Sequence, residues 1–142
     1  MESFEINGKL FAIILRSDHK SNGVEFFTPN DFSQQLGYMK HPLGHSILPH
    51  VHNPVEREVH YTKEVLFIKS GKVRVDFYDE DQNYVESRIL RSGDVILLAF
   101  GGHGFEMLED SEIIEVKQGP YAGDADKTRF NAIPADQIRL KD

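Results

Sequence analysis

The stretch VLFIKSGKVRVDFYDEDQNYVESRIL, residues 65–90, carries the clearest structural signal in the chain. Val73, Val75 and Phe77 alternate with Lys72, Arg74 and Asp76, the period of a strand with one apolar and one wet face. The pair Ser70–Gly71 and the polar run DEDQN at 79–83 interrupt it with turn chemistry. Residues 65–90 thus read as two strands joined by a tight turn, with a third after a longer one.

The same pattern of short apolar runs and turn signals extends in both directions. KLFAIILR (9–16) precedes the polar SDHKSNG, and LGYMKH (36–41) precedes the turn PLG. RSGD (91–94) leads into VILLAF, GGHG (101–104) into FEMLEDS, and EIIEVKQG (112–119) closes the series. Helix signals are sparse. The best is TPNDFSQQLG (28–37), where Asn30 or Asp31 caps one helical turn near 30–36 before Gly37 stops it. Many short strands and almost no helix predict an all-β fold, a sandwich or a small barrel. The polar tail, residues 120–142, is expected to wrap the domain or meet a partner.

With 142 residues and no Gly/Ser/Pro-rich linker, the chain reads as one domain, 1–142. A net charge of -7 argues against nucleic acid, since phosphate contacts need clustered Lys and Arg, and it gives no attraction to an anionic membrane. The absence of cysteine removes disulfides, thiol nucleophiles and thiolate metal sites. The apolar run at 10–15 is too short to span a bilayer, and no basic leader with a cleavage site precedes it, so a cytoplasmic location is expected.

The chemistry concentrates in LPHVHNPVEREVHYTKE, residues 48–64. Residues two apart on a strand share a face, so His50 and His52 would project side by side, as two imidazoles converging on one metal do. An isolated H-x-H also arises among ordinary surface histidines. The wider spacing adds to it: Gly44 stands six positions before His50, and Glu64 stands seven before Gly71. Gly93 opens GDVILLAFGGHG, which ends near His103.

Over roughly residues 38–118 these spacings resemble the two motifs of the cupin superfamily, G-x5-H-x-H…E-x6-G and G-x5-P-x-G-x2-H-x3-N. The resemblance implies an antiparallel jelly-roll β-barrel. It also implies a divalent metal, one of Fe, Mn, Ni, Zn or Cu, held by His50, His52, Glu64 and His103. The match has departures. Eleven residues, 53–63, separate His52 from Glu64, longer than the family's spacing. Ala99 takes the proline position, His103 arrives one residue early, and Met107 stands where the asparagine would be. Glu56 has the shorter spacing from His52 but no glycine after it. Glu64 is preferred because it shares a face with Leu66 and Ile68 on a strand that ends in a turn.

Around this set, His60 and Tyr61 would cover the site or touch a ligand, and Arg57 and Lys63 would meet a phosphate; a solvated loop is the competing reading of all four. His45 has the opposite parity to His50. Lys40 and Lys117 are candidates for the mouth of the barrel, whereas Phe105 and Met107 share a face with His103 and belong to its interior.

A looser resemblance, over residues 48–130, is to cupin-type ketoisomerases of nucleotide-linked deoxysugars and to small cupins of surface-polysaccharide biosynthesis. It implies that His50 and His52 act as acid and base with no metal. A metal-dependent dioxygenase, a non-catalytic module for a small ligand and a purely structural barrel are the alternatives. A homodimer is expected because open sheets have edges that pair between subunits, with KLFAIILR as one candidate edge and core packing as its alternative.

Overall fold

The computed structural model describes residues 1–141. They form ten strands and divide into two compact units, Met1–Asp18 with the chain from Tyr61 onward, and His19–His60. The class is all-β, built from antiparallel sheets, and among the described residues no sheet closes into a barrel. No helix of these residues is long and apolar enough to cross a membrane.

The larger unit holds β1 (Glu2–Ile6), β2 (Lys9–Leu15), β5 (Glu64–Ser70), β6 (Lys72–Tyr78), β7 (Tyr84–Arg91), β8 (Val95–Leu98), β9 (Gly102–Met107) and β10 (Glu112–Lys117). One sheet runs β1-β2-β8-β5-β10 and the other β7-β6-β9. The three strands expected within residues 65–90 are β5, β6 and β7, with turns at the two breaks. Gly71 sits in the first turn at φ 86°, where a β-carbon would lie 2.3 Å from the Asp110 carbonyl.

Alternation decides what is buried. Leu66, Ile68, Ile96, Leu98, Ala12 and Ile14 from the larger sheet share one core with Val73, Val75, Phe77 and Leu90 from the smaller. Phe4 stacks on Phe77 with ring centroids 4.4 Å apart, joining the sheets. KLFAIILR therefore pairs inside the chain: β2 lies between β1 and β8, and Ala12, Ile13 and Ile14 are buried. Both of its edges are taken, which removes it as a surface for pairing between subunits.

A polar tie locks the turn between β7 and β8. The buried Asp94 carboxylate accepts the Ser17 N–H at 2.9 Å, the Arg91 N–H at 3.0 Å and Arg16 Nη1 at 2.9 Å. Arg16 also bonds Glu2 and the Ile89 carbonyl, so one guanidinium joins β1, the end of β2, β7 and the turn.

The tail wraps the unit. Ser87 on β7 bonds the Arg139 carbonyl and the Lys141 N–H, a parallel bridge that covers the outer edge of β7. Tyr78 Oη accepts the Ile133 N–H at 2.9 Å and Tyr84 Oη the Arg139 N–H at 2.8 Å. Two short 3-10 turns, Gly123–Asp126 and Ala135–Gln137, punctuate it.

Lys141 anchors its end on Glu86, at 2.9 Å, beside Arg88. Burial raises the Glu86 pKa, but the bonds from Lys141 and Arg88 outweigh it and hold the carboxyl below its ordinary value of 4.5. A depressed carboxylate stabilises the fold above its unfolded pKa, and this is lost as pH falls through the lower, folded value. Glu86→Gln is therefore expected to flatten the acid limb of stability below about pH 4.5, seen as a smaller loss of melting temperature between neutral and acid buffers.

The smaller unit contains the hairpin β3 (Gly23–Phe26) and β4 (Gly37–Lys40). The connection near 30–36 holds turns but no helix. Its shape comes from the Gln35 amide, whose nitrogen donates to the Pro29 and Phe32 carbonyls, both at 2.9 Å, while its oxygen accepts from Thr28 Oγ1. Those side-chain bonds compete with helical ones. His19 lies edge-on to Phe27 and Tyr38. Beyond β4, residues 41–60 form neither helix nor strand.

Candidate functional site

Glu64 opens β5 and is 7% exposed. Its parity places it with Leu66 and Ile68 on the buried face, as the sequence predicts. Across the larger sheet it lies opposite Lys117 of β10 and Leu98 of β8. From the other sheet, His103 reaches it, Nε2 standing 3.1 Å from Glu64 Oε2. β9 begins at Gly102, so His103 belongs to the strand rather than to a preceding turn, and its ring packs 5.5 Å from Phe105.

Donation from His103 is the main influence on the Glu64 carboxyl and holds its pKa below 4.5; burial pushes the other way, and the charges of Lys127 and Lys117 reinforce the depression. An ionised Glu64 only accepts hydrogen bonds, so His103 Nε2 is the donor and Nδ1 is the ring nitrogen left out of that bond. The result is an oriented carboxylate–imidazole pair in the field of two lysines.

Lys127 follows the 3-10 turn Gly123–Asp126. With Lys117 and Arg129 it lines a cleft that also contains Tyr121, Asp124 and Asp126. Thr62, just before β5, bonds Asp126 and ties this part of the tail to the start of the strand. Lys117 was legible as a candidate for the mouth of the fold. Lys127 and Arg129 were not, because nothing local in DADKTRF shows that it folds back toward β5.

The other candidates are distributed as follows. Tyr61 and Lys63 belong to the unit that holds Glu64. Tyr61 stacks edge-on against Phe100 at 5.3 Å, and Lys63, buried, has its Nζ 5.3 Å from the same ring. Lys63 is thus placed in aromatic packing. His50, His52, Arg57 and His60 belong to the other unit and are exposed, as are His45 and Lys40. The His50 and His52 rings are 5.2 Å apart, and His60 faces Glu58 at 3.5 Å.

The H-x-H segment is not a strand here, contrary to its expected geometry. Among the described residues no strand pairs with it, and Pro49, immediately before His50, has no N–H to offer one. Glu64 and His103 supply two metal donors that bond each other. No group of three or more His, Asp or Glu side chains among the described residues is placed to hold a metal ion. Of the four donors implied by the resemblance, Glu64 and His103 belong to one unit and His50 and His52 to the other, and no chemical step is derived through a metal.

No protein-family model matches the chain, and no curated protein or solved structure matches it.

Proposed function

We propose that this chain is a cupin-like enzyme of jelly-roll ancestry that moves a proton on a small anionic substrate, a nucleotide-linked sugar being the class that fits best. The observation that carries this reading is the Glu64–His103 pair beside Lys117 and Lys127. In an isomerisation that shifts a keto group along a sugar ring, a base removes the proton from the carbon next to the carbonyl. The adjacent hydroxyl gives up its proton as the old carbonyl oxygen gains one, through an enediol, and the acid form returns the carbon proton to the former carbonyl carbon. His103 Nδ1 would take and return that proton, and Glu64 would hold the ring in the competent tautomer and stabilise the imidazolium as it forms. Lys117 and Lys127 would oppose the charge on the developing enolate, and the cleft they share with Arg129 would receive phosphate oxygens.

The arrangement moves the proposed acid–base role toward His103, whereas the sequence resemblance places it on His50 and His52. In a metal-binding version of the cupin reading, His50 and His52 would be the further donors to a divalent ion, with Glu64 and His103 as the other half of the set.

The test is incubation with a nucleotide 4-keto-6-deoxysugar in deuterated water, followed by mass spectrometry of the sugar ring. Incorporation of solvent deuterium is expected. A thermal shift without exchange would leave a binding module; neither shift nor exchange with any sugar nucleotide would end the sugar reading.

A further inference from the structure

The chain contains two Asn–Gly steps, Asn7–Gly8 and Asn22–Gly23. Such a step is chemically labile, because glycine has no side chain to shield its backbone nitrogen from the asparagine Cγ. The fold places the two in opposite circumstances.

Asn7 and Gly8 are the whole of the loop between β1 and β2. Ile6 lies opposite Lys9, and the two loop residues have φ 51° and 77°. Positive φ at both positions of a two-residue loop is the type I′ turn that Asn–Gly favours. Both residues are exposed, and a β-carbon on Gly8 would meet nothing within 4 Å. Among the described residues the Gly8 N–H has no hydrogen-bond partner. Gly23, by contrast, opens β3 opposite Lys40. The Phe27 N–H donates to the Leu36 carbonyl, and bonded pairs alternate along an antiparallel ladder. Glu25–Tyr38 and Gly23–Lys40 therefore exchange bonds, and the nitrogen that would attack Asn22 is held by the Lys40 carbonyl.

We infer that Asn7 is a site of spontaneous deamidation, a slow covalent clock at the β1–β2 turn, and that Asn22 is protected from the same reaction. The Gly8 nitrogen bonds to Asn7 Cγ, and the side-chain amide leaves as ammonia, carrying the Gly8 proton. Water then opens the succinimide at either carbonyl, giving aspartate or isoaspartate. Closure requires one peptide to turn. Rotating the Asn7–Gly8 peptide converts type I′ into type II′, moving ψ of Asn7 from about 30° to about −120° while its φ stays positive. That rotation turns the Gly8 nitrogen toward the side chain and keeps the Ile6–Lys9 pair. At Asn22 it would break the ladder bond of Gly23.

The two products differ in effect. Aspartate tolerates positive φ and keeps the turn. Isoaspartate routes the backbone through the side chain and lengthens a loop whose two residues set the register, so Ile6 and Lys9 no longer face each other. β1 ends its sheet and pairs only with β2 among the described residues, so it is the strand that the isoaspartyl chain loses.

The site is independent of the proton-transfer reading, and its test needs no substrate. The folded protein is aged in warm, mildly alkaline buffer made with heavy-oxygen water, then digested with trypsin, which separates the two steps at Lys9 and Lys20. Heavy oxygen should enter the Asn7 peptide about tenfold faster than the Asn22 peptide, the factor that one net hydrogen bond supplies. In denaturant the two rates should converge. Isoaspartate is scored with an isoaspartyl carboxyl methyltransferase and labelled S-adenosylmethionine, and aged protein should melt lower in proportion to it. Asn7→Gly keeps a residue that adopts positive φ but has no amide to lose, so it should start close to the parent melting temperature and hold it with age. Equal rates for the two peptides in the folded protein, a faster reaction at Asn22, or an Asn7→Gly chain that declines as the parent does would overturn the inference.

Discussion

Glutamine at His103 is expected to lower deuterium exchange into the sugar by about 10²–10⁴-fold, the range for removing a positioned general base. Glutamine rather than alanine is the informative change. Its amide still donates toward Glu64, so the buried carboxylate keeps a partner, while the basic nitrogen is gone. Alanine would leave Glu64 ionised, 7% exposed and without its closest donor, mixing a loss of stability into the loss of rate. Glu64→Gln should reduce exchange less, because it removes the charge that stabilises the imidazolium and leaves the proton acceptor in place. Both variants should melt close to the parent. Undiminished exchange in His103→Gln, measured with the assay described above, would remove His103 from the reaction.

The second large effect lies away from that site. Asp94→Ala should destabilise the fold by about 3 kcal/mol, lowering the melting temperature by roughly 10 °C. Three donors lose their acceptor at once: two backbone N–H groups and the Arg16 guanidinium. Arg16 keeps Glu2 and the Ile89 carbonyl, which limits the cost of its stranded charge. Asp94→Asn keeps one accepting oxygen and should recover part of the loss. Thermal unfolding of the three proteins gives the ranking, and an alanine variant as stable as the asparagine one would refute this account of the turn.

The strands of residues 65–90 were legible because alternation is a local property: Val73, Val75 and Phe77 face the core whatever lies beside them. Glu64 was placed on the correct face for the same reason. Neighbours are another matter. KLFAIILR looks equally like a core strand and an adhesive edge until β1 and β8 flank it, and β1 itself, ESFEI, is too short to separate from a loop by pattern alone. Asp94 reads as a turn residue in RSGD, but its bonds to Arg16 and Ser17 span 78 and 77 positions. The contact between His103 and Glu64 crosses from one sheet to the other, and only the family resemblance pointed to it. Lys127 joins them through a tail whose polarity gives no hint of where it docks.

That tail has one more consequence. By bridging Ser87 it covers one side of the small sheet, so that among the described residues β9 is the side of that sheet with no paired neighbour. A layer with two growing sides propagates into a filament; a layer with one stops when that side is filled. Residues 139–141 would therefore block any incoming strand at β7 without touching the residues at Glu64 and His103.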